Sequence, residues 1–156
     1  MPDFGKCGAA FGELAPAFSE AIEWVTSQKW LSCEETGTKD YVQNPSCVCW
    51  YNLPLCLGNC CIPCCVCATG ARNLEKMNGK SYEANCVSAC LLNCCCYFGV
   101  CWYAKQRSEF RKKYDIKGSD GMDCLNACCF GPCAICQDAN QLMKETDYKV
   151  PMAQLS

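Results

Sequence analysis

Residues 56–67 read CLGNCCIPCCVC, and the cysteines at 56, 60, 64 and 67 advance by four, four and three positions. That is the α-helical step, so on a helix these sulfurs form one ridge. The same device returns twice. Cys86, Cys90 and Cys94 advance by four, while Cys129, Cys133 and Cys136 advance by four and three beside Cys124 and Cys128. The spacing predicts a mainly α protein. Its centre is a small cysteine-rich helical domain of about three short helices, which turn their sulfur stripes toward a common axis and are crosslinked by metal or disulfides. Pro63 and Pro132 fall within two of the ridges and are expected to kink or interrupt them.

The chain holds 21 cysteines in 156 residues, and all but Cys7 and Cys33 lie between Cys47 and Cys136. A cysteine share above about 8–10% marks a sulfur scaffold in a short chain. The odd count leaves at least one thiol unpaired within a monomer. Three roles stand open: buried thiols packed as small hydrophobes, disulfides within and between ridges, and thiolate coordination of a metal. Metal binding is favoured by the C-x-x-C steps Cys61–Cys64, Cys64–Cys67 and Cys133–Cys136, since two such pairs from distant segments supply the four thiolates of a tetrahedral zinc site. The same spacing suits a redox dithiol, but no thioredoxin-like strand pattern surrounds it.

Composition narrows the function. The chain has no histidine, which removes Cys/His zinc sites, histidine-activated nucleophiles and the usual proton shuttle. A cysteine lowered in pKa beside Arg72 or Lys105 is the remaining route to catalysis, so a non-enzymatic role is expected. With a formal net charge of -2 and no interleaving of basic and aromatic residues, nucleic acid is not an expected partner. The first residues lack the basic start and long apolar run of a secretory signal, and an oxidising compartment is accordingly not expected.

Along the chain, Phe11, Leu14, Phe18, Ile22 and Val25 recur at three- and four-residue steps. They predict an amphipathic helix over about 16–29, with Pro16 in the tolerant first turn. That helix either docks on the domain or lies on a membrane or partner. A polar linker follows, so residues 1–45 read as an N-terminal extension, 46–146 as the cysteine-rich domain and 147–156 as a flexible tail. Residues 41–71 and 84–104 carry no charge. Each is long enough to span a bilayer, yet the prolines, glycine and asparagines in them suit a buried interior filled by sulfur equally well. The charged stretch between them reads as a loop, with a short helical turn before the turn pair Asn78–Gly79. Lys105, Arg107, Arg111, Lys112 and Lys113 read as a solvated helix face or a patch for anionic headgroups, cytosolic if the preceding stretch spans. Residues 118–121 form a turn, and Asp123 opposes the dipole at the start of a last helix.

Three blocks carry a resemblance: CCIPCCVC at 60–67, RSEFRKKYDIKGSDGMDC at 107–124 and CCFGPCAICQDANQL at 128–142. In this order they resemble the placenta-specific-gene-8 family, which includes cornifelin and the plant cadmium-resistance and cell-number-regulator proteins. The resemblance implies a small, membrane-associated, cysteine-rich domain with a role in divalent-cation resistance or transport and in control of cell number. Where the plant members have Cys-Pro-Cys, this chain reads Cys61-Ile-Pro-Cys64-Cys65.

The expectation is therefore a non-enzymatic, membrane-associated protein with a cytosolic face, binding zinc or a related divalent cation in cation homeostasis or transport. Cys61, Cys64, Cys133 and Cys136 are the expected ligands, with Cys67, Cys128 and Cys129 next and Gln137 as a hydrogen bonder behind them. A structural or adaptor subunit, partnered by other proteins or by its own copies, is the competing reading. It is motivated by the odd thiol and by the exposed-looking aromatics Trp24, Trp30, Trp50 and Tyr51.

Overall fold

The structure, a computed structural model, describes residues 4–41, 63–94 and 98–148. Helix α1 (Phe4–Gly12) leads into α2 (Leu14–Thr26), and Gln28, in the left-handed region at φ 55°, ends that run before a single 3-10 turn, Lys29–Leu31. Then come α3 (Pro63–Asn78), α4 (Tyr82–Cys94), α5 (Phe98–Lys113), α6 (Asp120–Cys129) and α7 (Gly131–Glu145). Among the described residues the only extended pairings are isolated bridges joining Thr36 to Gly118 and Lys39 to Ile116. The fold is helical, with an N-terminal helix preceding the cysteine-rich part, as the spacing predicts.

Local chemistry sets the boundaries. Pro63 opens α3 and Pro132 lies in the first turn of α7, where the missing N–H costs nothing and the fixed φ suits a helix. Both therefore start helices, and at Pro132 the cysteine ridge is interrupted as expected, Cys129 ending α6 and Cys133 lying on α7. The helical turn expected before Asn78–Gly79 is longer than a single turn: the charged stretch after Ala71 continues α3 to Asn78 instead of looping out. It ends where Gly79 takes φ 73° and its N–H reaches the Glu75 carbonyl, a left-handed helix stop. Asn78 then fastens the turn, its Oδ1 accepting from Lys80 N at 2.9 Å and its Nδ2 donating to Asn85 at 2.8 Å. Ser119 caps α6, its hydroxyl accepting from Met122 N, as an N-cap serine does.

Helix α5 is the centre of the fold. It packs against α2, α3, α4 and α6, and its buried residues run around the helix from Gly99 to Arg111. On one side lies a cluster containing Phe110, Ile116, Cys136, Leu142 and Tyr148. On the other, Leu74, Leu92, Trp102 and Ala104 meet Ala17 and Ala21 of α2. Small residues let these helices approach closely.

The N-terminal helix docks differently from its periodicity. Ala17, Ala21 and Trp24 are buried, so Trp24 is not the exposed aromatic the sequence suggests. Phe11, Phe18, Ile22 and Val25 stay exposed, although Phe18 meets Phe98 edge-on at 5.1 Å. Glu20 anchors the docked face, accepting from Trp102 Nε1 at 3.1 Å and Gln106 Nε2 at 2.9 Å. Beyond α2, the segment 36–39 pairs with 115–118: Thr36 and Gly118 exchange both backbone hydrogen bonds at 2.8 and 3.0 Å.

No helix among the described residues is long and apolar enough to cross a membrane. Residues 84–94 lie in α4 and 98–104 in α5, while 95–97 and most of 41–71, with Trp50 and Tyr51, lie outside the described residues.

Candidate functional site

The helices α5, α6 and α7 meet at a buried charge network. Arg107 and Arg111 stand four residues apart on α5 and so share one face. Their side chains are each 1% exposed. The solvated basic face expected for this segment is thus corrected at these two positions, whereas Lys112 and Lys117 do remain about half-exposed. Asp123 on α6 accepts from both arginines, at 3.2 Å from Arg107 Nε and 2.8 Å from Arg111 Nε. Arg107 also donates to Asp138 and Gln137 on α7 and to the Ala134 carbonyl. Arg111 donates to Asp120 at 2.9 Å and to the Thr36 hydroxyl at 2.7 Å, which brings the N-terminal segment into the same network.

The charges balance: Arg107, Arg111 and Lys112 face Asp120, Asp123 and Asp138. Burial opposes the charge on Arg107, yet Asp138 and the other acids around it leave its pKa raised. Asp120 is also desolvated, but Lys112 and Ser108 bond its charged form and hold its pKa below the usual value. The Tyr103 hydroxyl donates to Asp138 at 2.8 Å, and the Arg107 guanidinium lies over the Tyr41 ring at 5.0 Å. Burial raises the pKa of both phenols. Such a cluster is rigid and specific: each buried charge is bonded, and removal of one strands its partners.

Among the described sulfurs, two groups can be distinguished. Cys90 on α4 bonds with Cys86 and with Cys67 of α3, and burial, then Cys86, raises its pKa. On the other side Cys124 and Cys128 of α6 bring their sulfurs to 4.0 Å, with Cys101 of α5 beside them. Burial, then Cys128, pushes the Cys124 thiol up to about 12. Arg72 pairs with Glu75, and Lys105 with Glu20 and Glu109.

Residues 43–141 match the family model of the PLAC8 family. The chain belongs to the PLAC8 family. A maize (Zea mays) relative, cell number regulator 11, is 33% identical over 91 residues, covering 56% of each chain. The chain therefore spans little more than half the length of that curated relative. No solved structure matches.

In this PLAC8 protein the expected ligands are distributed unevenly. Cys61 lies outside the described residues, and Cys64 is placed by its backbone in the first turn of α3. Cys67 follows on the same helix and is exposed. Cys133 and Cys136 lie in the first two turns of α7, where Cys136 is buried beside Phe110 and Leu142 while Cys133 is half-buried. Cys129 is exposed, and Cys128 turns to Cys124. Gln137 bonds Arg107. Among the described residues, no three Cys, Asp or Glu side chains are grouped so as to hold a metal ion.

The helices carrying Cys64 and the Cys133–Cys136 step do pack together. Asn73 Nδ2 donates to the Ile135 carbonyl at 2.8 Å, and a Cβ at Gly70 would stand 3.4 Å from the Ile135 side chain. Sequence reasoning missed the charge network itself. Its signal was present: Arg107 and Arg111 are in phase with Tyr103 and Phe110 on one helix.

Proposed function

We propose that this protein is a non-enzymatic, membrane-associated member of the PLAC8 family. It binds zinc or a related divalent cation through thiolates and serves cation homeostasis or transport from the cytosolic face. The observation that carries the reading is the side-by-side packing of α3 and α7: Cys64 lies in the first turn of α3, and α7 opens with the Cys133–Cys136 step. A helix start favours the negative charge a ligating thiolate bears. Cys61 and Cys64 from one segment, with Cys133 and Cys136 from the other, provide the four sulfurs zinc takes at about 2.3 Å. The charge network beneath holds α7 in place, so the ion is cargo on a preformed support. Elemental analysis of purified protein, wild type against Cys61→Ser/Cys64→Ser and Cys133→Ser/Cys136→Ser, tests this. The reading requires bound zinc or a related ion in the wild type and its loss in both double variants.

A second reading, a structural or adaptor subunit, is favoured by one specific feature. Phe11, Leu31, Met122, Leu125 and Phe130 are each about half-exposed, an apolar surface suited to a partner or a lipid interface. Carbonate extraction with and without detergent separates the two. Retention until detergent is added supports membrane association, and release without it supports the adaptor.

A further inference from the structure

Helix α2 meets the rest of the fold through its small residues and turns its large apolar ones outward. Ala17 and Ala21 are fully buried and Trp24 nearly so, whereas Phe18, Ile22 and Val25 keep 39%, 39% and 36% of their surface exposed, and Phe11 on α1 keeps 57%. Steps of four and three put Phe18, Ile22 and Val25 on one face. A surface helix ordinarily turns such a face toward the core. Here the inward place is taken by the two alanines and by Glu20, which holds the buried Trp102 and Gln106. Phe18 shares part of its ring with Phe98, and the rest of the stripe is open to water.

The surroundings of the stripe select its occupant. Residues 84–104, which include Phe98, carry no charged side chain. The lysines that reach this helix, Lys80 and Lys105, pair with Glu13 and Glu20. Glu23 and Trp24 face a separate polar cleft of about 200 Å³, lined also by Lys29, Lys105 and Lys112. On the remaining flank of the stripe helical phase places the exposed hydroxyls of Ser19 and Thr26. The apolar face is thus bordered by uncharged groups, and attraction to anionic headgroups has no source beside it. Area argues against a second protein: four side chains of this exposure offer on the order of 300 Å², whereas a stable interface buries about 800 Å² on each partner. A bilayer accepts apolar side chains singly, between the headgroups and the first methylenes of the acyl chains.

We infer that α2 lies in the plane of the membrane surface and inserts Phe18, Ile22 and Val25 among neutral phospholipids. The inference rests on the membrane association proposed above, and assigns it to a helix that precedes residues 43–141, the part matched by the family. Binding of this kind depends on apolar contact and on gaps in headgroup packing, so it favours curved membranes and is little affected by salt.

Flotation of the full chain with phosphatidylcholine vesicles tests it, small vesicles against large ones, with and without phosphatidylserine, at low and high salt. The wild type is expected to float with neutral vesicles, more with small than with large ones, and to the same extent at both salt concentrations. Phe18→Ser/Ile22→Ser changes only exposed positions; it should keep the helical circular dichroism spectrum and lose binding by about tenfold or more. Val25→Trp should bind more tightly than the wild type. A double variant that floats like the wild type overturns the inference while leaving membrane association to another surface. Flotation that needs phosphatidylserine and is abolished by salt overturns it too, as does a wild-type dimer in sedimentation that the double variant loses. A wild type that floats with none of the vesicles overturns both this inference and the membrane association on which it rests.

Discussion

Arg107 Nε lies 3.2 Å from Asp123 Oδ1, and both side chains are almost fully withdrawn from water, at 1% and 3% exposure. Asp123 also receives Arg111, so one carboxylate serves two buried guanidinium groups. Asp123→Asn keeps the shape and removes the charge. The two arginines then share a neutral acceptor, and the expected loss is about 3–5 kcal/mol. Urea unfolding followed by circular dichroism measures it. A loss below about 1 kcal/mol, the range of a surface pair, would show that the network contributes little.

Glycine at 37 is required on two counts. Its φ is +91°, and a Cβ there would stand 2.3 Å from the Ile116 carbonyl oxygen, within the bridged segment. Gly79 has a similar φ of +73° but open space around it. Gly37→Ala is therefore expected to cost clearly more than Gly79→Ala, which should lose only the left-handed strain of about 1 kcal/mol. Thermal midpoints of the two variants compare them directly.

Detaching α2 should follow from Glu20→Ala. Trp102 and Gln106, both buried, would lose the carboxylate that accepts their N–H groups, at a cost of about 1–3 kcal/mol. Brief trypsin digestion is expected to cleave after Lys29 sooner in the variant, while the helices from α5 to α7 persist. An unchanged cleavage rate would mean that Ala17, Ala21 and Trp24 hold the helix without it.

Alkaline pH should weaken the fold through its phenols. Burial raises Tyr41 and Tyr103, and raises Tyr148 to about 12. Above about pH 10 the unfolded chain releases these protons while the native chain keeps them, so the native state binds more protons and stability falls as pH rises. Each phenol contributes a slope of about 1.4 kcal/mol per pH unit in that window. Urea midpoints at successive pH values, with phenolate absorbance recorded alongside, should show unfolding before these three tyrosines ionise.

The helical class was legible because the cysteine steps and the apolar steps share the helical period. The turn at Asn78–Gly79 and the acid at the start of α6 were legible from residue chemistry alone. Arg107 and Arg111 were not, because periodicity cannot tell a solvated cation from one whose counter-charges arrive from residues 120, 123 and 138 in other helices. For the same reason α2 was misoriented: Phe11, Phe18, Ile22 and Val25 outscore Ala17 and Ala21 in hydropathy, yet the small residues permit close packing on α5 and Glu20 finds its donors there. Cysteine misled in a related way. Its density suggested a sulfur-lined axis, whereas the cores contain Trp102, Phe110, Leu74 and Leu92, with Cys136 the only cysteine buried among the described residues.

The charge network joins α5, α6, α7 and the 36–39 segment with no sulfur in it, so the support should stand before any ion is bound. The most direct test is cooperative unfolding, followed by helical circular dichroism, of the full chain after complete reduction and removal of metal by a chelator. A helical spectrum with a single sharp urea transition is the expected result. A disordered spectrum that becomes helical only when zinc or an oxidant is restored would contradict it.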